Sequence, residues 1–387
     1  MAPTVSVIIP SYNHGRFIKQ CIQSVLDQTF QDFEIIITDD GSSDRSIEII
    51  EEFVDPRIKL FKHLVNKGAS VASNNCIINS TGKYIAMLSS DDIWYPEKLE
   101  IQVNYLEAHP EISIVFGKVD WIDVSGNLLV AGFPYKDIFN VKNRTRFEWL
   151  RHFFKVGNCL CHPCSLIRRD HYLEVGLLDP SFANLPDFDL WVRFCLKYDI
   201  HILDQPLVYF RRINEQENAS GDNITGRIRN RFEYKQILTH YLSIQDPNEL
   251  LLIFPEAVQY GKVSSGIIPY FLSRVAIDSG TDFMMLWGLE NIYTLLKNEV
   301  TAQMLEEQCG FTYLDFIKLA GQYDVYKMSL ISMQASIPIK LPGDVDRTSP
   351  LFLAFKKYFR DLFLVFRTFL SVSRSFLKDI SRVFFIN

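Results

Sequence analysis

The segment Tyr84-Ile-Ala-Met-Leu-Ser-Ser-Asp-Asp92 runs from five apolar residues almost directly into a pair of carboxylates, and Trp94-Tyr-Pro96 follows just beyond. The apolar run predicts a buried β-strand. In an open α/β sheet, ligands bind in the crevice outside the carboxyl ends of the strands. Carboxylates there offer the hard oxygen ligands that magnesium and manganese prefer, and such ions usually also bind a diphosphate. The segment therefore indicates a nucleotide site, although the pair could instead cap the helix that begins near Pro96.

Strands and helices alternate on both sides of this segment. Helical patterns of ten or more residues separate the apolar runs, as in crossover connections between parallel strands. Residues 1–120 are therefore predicted to form a doubly wound, mostly parallel α/β sheet. The predicted strands besides the one ending at Asp91 are Val5–Ile9, Glu34–Thr38, Ile58–Lys62 and Ile112–Phe116, and the helices are Phe17–Gln28, a helix through Phe53, one ending near Asn79, and Pro96–His109.

The pattern changes after residue 120. Mixed strands and loops follow, with a predicted helix over Asp189–Tyr198 and an extended segment over His201–Arg212. Beyond residue 222 the chain is predicted to be helical, and the polar stretch Glu217–Asp222 is the expected boundary. We therefore predict an α/β domain over 1–220, a helical region over 221–350 and a separate tail over 351–387.

The tail is basic and rich in aromatic residues. It carries seven Lys and Arg against Asp361 and Asp379, a net charge of +5 in a chain whose net charge is −6. A basic amphipathic helix with such residues is typical of a membrane interface, and packing on the rest of the chain or on a second subunit is the alternative. The apolar residues that recur at helical spacing are Phe352, Phe355, Phe359, Leu362, Phe366 and Phe369.

Composition limits the function classes. A chain of 387 residues with 48% hydrophobic and 22% charged residues is typical of a globular protein, and its negative charge argues against nucleic acid as a partner. We expect no signal peptide and no membrane span, hence a cytoplasmic protein that is peripheral on the inner face of the membrane if the tail binds there. Seven cysteines indicate reduced thiols, and the cluster Cys159-Leu-Cys-His-Pro-Cys164 is better interpreted as thiols than as a zinc site.

Two further strand ends carry polar residues, namely Pro10-Ser-Tyr-Asn13 and Asp39-Asp-Gly-Ser42. In a parallel sheet these would lie beside Ser89–Asp92. Tyr12 offers a flat face for a base, and Asp39 or Asp40 offers an acceptor for a base N–H. Asp91 and Asp92 offer hydrogen bonds to a ribose and ligands to a metal. Plain turns are the alternative, because these are turn residues. The chain lacks the glycine-rich loops of Rossmann and P-loop sites, so a metal would have to neutralise the diphosphate.

In this order and spacing, Val5–Asn13, Asp39–Asp44 and Ser89–Asp92 resemble the family 2 glycosyltransferases of the GT-A fold, over roughly residues 4–220. Gly176–Asp179 and Asp187–Arg193 look like the acceptor-side motif of that family.

The resemblance implies a role for each matching residue. Pro10, Tyr12 and Asp40, with Asp39 as neighbour or substitute, would bind the nucleotide. Asp91 would also bind it, and Asp91 and Asp92 would hold Mn²⁺ or Mg²⁺. Asp187 would be the general base for an inverting transfer, unless it only caps a helix starting near Asp189, which itself would be structural.

The chain departs from the family at four places. Ser89 stands where an Asp is frequent, Asn74 where an Arg is frequent, Pro186 where a Glu is frequent, and Ile213 where a His is common. Arg211 or Arg212 is a candidate for the positive charge that this His would supply.

We therefore expect an inverting, metal-dependent glycosyltransferase of the hexosyltransferase type. Its donor would be a nucleotide diphosphate sugar, with a UDP-sugar favoured. Its acceptor would be a glycan or lipid-linked hydroxyl in surface polysaccharide assembly. The rival hypotheses are a non-catalytic nucleotide-sugar binding protein and a sugar-nucleotide nucleotidyltransferase. The second would need a glycine-rich basic loop after the first strand.

Overall fold

The computed structural model describes residues 2–130, 136–212 and 224–326. Within them, a mixed sheet of eight strands has the order β3-β2-β1-β4-β7-β6-β8-β5. The strands are β1 (Val5–Ser11), β2 (Phe33–Asp39), β3 (Ile58–Lys62), β4 (Tyr84–Met87), β5 (Ile93–Trp94), β6 (Ile112–Ile122), β7 (Leu166–Arg168) and β8 (Asp199–Arg211).

The first four strands form the parallel half of the sheet. β1 lies between β2 and β4 and is parallel to both, and β3 is parallel to β2. Every residue of β2 and all but Pro10 of β1 are buried, as expected for a parallel sheet covered on both faces. The carboxyl ends of β1, β2 and β4 therefore meet at one edge, which confirms the predicted doubly wound arrangement.

The other half of the sheet is mixed. β7 is antiparallel to β4 and β6, β6 is parallel to β8, and β5 is antiparallel to β8. The short strand β5 follows Asp92 directly and pairs with the last part of β8. The two residues that follow the carboxylate pair, Ile93 and Trp94, are thereby paired with β8 in the mixed half of the sheet.

Seven helices accompany the sheet and six follow it in the described residues. The expectation of a helical region beyond residue 222 is confirmed for 224–322. The helices are α1 (Ile18–Leu26), α2 (Ser46–Glu51), α3 (Ala69–Ile78), α4 (Lys98–Ala108), α5 (Arg146–Lys155), α6 (Arg169–Val175), α7 (Pro186–Cys195), α8 (Ile224–Leu238), α9 (Pro247–Ile253), α10 (Ile268–Asp278), α11 (Asp282–Leu296), α12 (Glu299–Cys309) and α13 (Tyr313–Gln322), with 3₁₀ turns at His162–Cys164, Thr239–Ser243, Pro255–Tyr260 and Ser265–Ile267.

The helical region packs on the sheet domain through α5. The Tyr241 hydroxyl donates to the Leu150 carbonyl at 2.8 Å, and Arg146 pairs with Glu249 at 2.9 Å. As a result, residues up to Val325 form one compact unit. The predicted boundary at 217–222 and the basic tail at 351–387 both lie outside the described residues and stay predictions. No helix within the described ranges is long and apolar enough to cross a bilayer.

Candidate active site at the carboxyl ends of the parallel strands

Hydrogen bonds join the loop after β1 to the loop after β2. Asn13 adopts a left-handed conformation with φ of 52°, which asparagine tolerates better than most residues. Its backbone N–H donates to Ser42 Oγ at 2.9 Å, and its side-chain oxygen accepts from the Ser43 N–H at 2.8 Å. The Gly15 N–H donates to Asp44 Oδ2 at 2.9 Å. These two strand ends therefore act as one surface.

The same loop also reaches the end of β4, where His14 Nδ1 lies 2.7 Å from Ser90 Oγ. The three strand ends, which we predicted to lie side by side, are thus in contact. Tyr12 projects from this surface with 45% of its area exposed, as a base-stacking platform requires, and Pro10 is half-buried behind it.

Asp39 and Asp40 are both buried and shape the loops around them. The Asp39 carboxylate accepts from the Ser42 N–H at 2.8 Å and from its hydroxyl at 2.6 Å. The Asp40 carboxylate accepts from the N–H groups of Lys67 and Gly68 and lies 2.6 Å from His63 Nδ1. Asp40 thereby fixes the turn after β3 to the candidate site.

Asp91 and Asp92 lie in the turn between β4 and β5. Asp92 Oδ1 accepts from the Arg211 N–H at 2.8 Å, whereas Asp92 Oδ2 is buried and has no hydrogen-bond partner in the described part of the chain. Burial raises the pKa of both carboxyls above the ordinary value, and the charge of Asp91 raises the pKa of Asp92 further. The nearby charge of Arg211 offsets this rise in pKa only in part.

A divalent cation fits this pair. The unpartnered oxygen of Asp92 and the carboxylate of Asp91 are the hard ligands that Mg²⁺ and Mn²⁺ take. The described residues bring no third histidine, cysteine or carboxylate into ligand range. Magnesium commonly binds through one or two carboxylates plus substrate phosphates, so a diphosphate and water would complete the set.

Arg211, which is 1% exposed, bonds to the turn that carries Asp91 and Asp92. Its Nε donates to the Asp91 carbonyl at 2.7 Å, and its Nη2 donates to Gln20 Oε1 at 2.9 Å. Its Nη1 donates to the carbonyl oxygens of Asp123 and Val124. Arg211 thus places a positive charge beside the carboxylates, and Ile213, beyond it, lies outside the described residues.

Asp187 lies in the first turn of α7, which begins at Pro186, three residues earlier than predicted. Proline at a first helical position is favourable because it has no N–H to satisfy there. Asp187 Oδ2 accepts from Asn158 Nδ2 at 2.9 Å, and Oδ1 accepts from the Phe188 N–H at 2.8 Å. Desolvation raises the pKa of this carboxyl to about 6. It is not the N-cap residue of α7, which is Leu185.

The segment Asn158–Cys164 links Asp187 to the carboxylate turn. Asn158 contacts Asp187 at one end, and the Pro163 carbonyl accepts from Trp94 Nε1 at 3.2 Å at the other. The cysteines between them are free and buried, and burial raises the pKa of Cys159 to about 11. These cysteines therefore form no disulfide within the described part of the chain.

Asn74, which stands where the family often has Arg, bonds to the acceptor-side motif. Its side chain donates to the Leu178 carbonyl at 2.8 Å and accepts from the Leu178 N–H at 3.0 Å. The sequence pointed to Asp187 and the strand ends, but it gave no sign of the roles of Asn74, Asn158 and His14. Those roles depend on contacts between residues far apart in the chain. Asp189, which we expected to be structural, bonds to Arg193 and His240.

Replacing Arg211 with Lys should lower the free energy of unfolding by about 2–3 kcal/mol, since one ammonium cannot serve four acceptors in different directions. Urea denaturation measures the change. Arg45→Lys is the control, because Arg45 is exposed and pairs only with Glu48 in the described residues. Equal stabilities for the two variants would show that the buried guanidinium does not hold the turn.

Comparison with known proteins shows which family the chain is similar to. The model for glycosyl transferase family 2 matches residues 6–176. An uncharacterized glycosyltransferase of Methanocaldococcus jannaschii is 31% identical over 247 residues, which cover 62% of this chain and 80% of that protein. The Escherichia coli UDP-Glc:alpha-D-GlcNAc-diphosphoundecaprenol beta-1,3-glucosyltransferase WfgD is 40% identical over 138 residues, 35% of this chain and 53% of that protein.

Among solved structures, S. aureus TarS 1–349 in complex with UDP-GlcNAc has a similar fold. The TM-score is 0.53 at 16% identity, covering 77% of this chain and 86% of that one. This similarity concerns the fold alone. With an eight-stranded mixed sheet, the family motifs at its carboxyl edge and these relatives, the chain belongs to glycosyl transferase family 2 and is a glycosyltransferase of the GT-A fold.

Proposed function

We propose that this glycosyltransferase transfers a hexose, with inversion, from a UDP-sugar to a hydroxyl of a glycan or lipid-linked acceptor in surface polysaccharide assembly. The observation that carries the proposal is the carboxylate pair of half-buried Asp91 and buried Asp92, which lies at the edge where the loops after β1, β2 and β4 meet. WfgD, the relative that is 40% identical over part of the chain, is named for UDP-glucose and a diphosphoundecaprenol-linked acceptor, which supports the donor and acceptor classes.

The donor would lie along the three joined loops. Tyr12, the exposed ring, would stack on the base above Pro10, and Asp40 or its neighbour Asp39 would accept a base N–H. Asp91 would accept a ribose hydroxyl. Asp91 and Asp92 would hold the divalent metal, which when bound stabilises the negative charge of the departing diphosphate.

Asp187 would deprotonate the acceptor hydroxyl. The oxygen then attacks the anomeric carbon from the side opposite the diphosphate, so that the new glycosidic bond forms as the bond to the diphosphate breaks. The configuration at that carbon therefore inverts. A base works best when its pKa lies close to the working pH, and desolvation raises the pKa of Asp187 to about 6. Asn158 orients the carboxylate by donating to Oδ2.

Substituting Asn for Asp187 should lower kcat by about 10²–10⁴-fold, because an amide cannot take the proton, and should leave the affinity for UDP unchanged. Turnover with a panel of UDP-sugars and calorimetric titration with UDP measure the two quantities. Asp170→Asn, at an exposed position on α6, is the matched control and should keep full activity. Wild-type protein that binds a nucleotide sugar but turns over none would instead indicate a binding protein.

The pH dependence of kcat/KM should show the Asp187 pKa. With a pKa of about 6, the base is protonated and inactive below that pH, so kcat/KM should fall about tenfold per pH unit there. A carboxyl with an ordinary pKa would keep activity down to about pH 4. An inflection near pH 4 would therefore exclude Asp187 as a desolvated base.

A further inference from the structure

Glu233 contacts the chain just ahead of Asp187, although it lies on α8, outside the residues that the family model matches. Its side chain is almost wholly buried, with 1% of the residue exposed. The carboxylate accepts from three consecutive backbone N–H groups, those of Ala183 at 2.9 Å, Asn184 at 3.0 Å and Leu185 at 2.8 Å.

These contacts satisfy the three N–H groups that immediately precede the first residue of α7, Pro186. The first N–H groups of a helix and of the turn before it have no partners within the helix. The side chain of the N-cap residue, Leu185, accepts no hydrogen bond, and the Leu185 N–H is itself one of the three donors to the Glu233 carboxylate. Negative charge at a helix N-terminus is also favoured by the helix dipole.

A second contact from α8 reaches the same loop. Arg229 Nη1 donates to Asn184 Oδ1 at 3.1 Å. At the other end of the loop, Asn74 of α3 binds both backbone groups of Leu178, and Ser70 Oγ donates to the Phe182 carbonyl at 3.4 Å. The loop 178–185 is therefore held between α3 and α8, and Asp187 follows two residues after its last anchor.

We propose that Glu233 is a positioning residue for transfer, through which the helical region fixes the place and direction of the Asp187 carboxylate. The inference rests on the proposed function, since it takes Asp187 to be the base. A displacement of about 1 Å in a reacting group can cost about 10²-fold in rate. The donor site is built from other loops, so its affinity should not depend on Glu233.

Glu233→Ala should therefore lower kcat about 10- to 100-fold while the Kd for UDP stays unchanged. Glu233→Gln keeps one acceptor oxygen, which can still serve Asn184 and Leu185, so it should retain more of kcat than the alanine variant. Glu256→Ala is the matched control. It also removes an ionic contact between the helical region and α5, with Arg151 at 2.5 Å, but it does not touch the loop.

The outcomes separate the two claims. If wild type turns over and Asp187→Asn does not, but Glu233→Ala keeps the wild-type kcat, Glu233 is structural only and the inference is overturned. If Asp187→Asn keeps full activity, Asp187 is not the base, and the inference about Glu233 is overturned with it. Should Glu233→Ala fail to fold, as judged by circular dichroism, Glu233→Gln decides: an undiminished kcat overturns the inference, and a lowered kcat at unchanged UDP affinity supports it.

Discussion

One buried guanidinium, that of Arg211, joins the parts of the molecule on which the proposed donor site depends. It comes from the end of β8, yet it bonds to the turn after β4, to α1 and to the turn after β6. A buried charge costs several kcal/mol unless it is hydrogen-bonded, and here four acceptors and two nearby carboxylates offset that cost. The turn that presents Asp91 and Asp92 is therefore fixed by an element more than a hundred residues further along the chain.

The candidate site has two sides with different origins. The proposed donor side consists of loops after three parallel strands, and direct hydrogen bonds between Asn13, His14 and their neighbours join these loops into one surface. The proposed acceptor side consists of the start of α7 and the loop before it, which bonds to α3 and α8. The segment Asn158–Cys164 connects the two sides. We therefore expect changes in the helical region to alter transfer without altering donor binding.

The parallel half of the fold could be predicted from the sequence. Val5–Ser11 and Phe33–Asp39 are rich in buried apolar residues and are followed by turn residues, and such local patterns fix both the strands and the edge where their loops meet. The mixed half could not be predicted in the same way. β7 has three residues and β5 has two, so their pairing depends on neighbours that are distant in sequence. The contacts of Arg211, Asn158 and Glu233 could not be predicted either. The local sequence around a single polar residue does not indicate which distant residue it will bond to.

Hydrogen exchange with and without UDP and Mn²⁺, measured by mass spectrometry on the full chain, tests most directly whether the donor binds at the carboxyl edge of the parallel strands. We expect the nucleotide to slow exchange in residues 11–16, 41–45 and 89–92, because ligand contacts would close the joined loops against solvent. Stronger slowing with Mn²⁺ at residues 89–92 would be the effect of the metal on the carboxylate pair. Slowed exchange confined to the helical region, with these three loops unchanged, would contradict this location for the donor site.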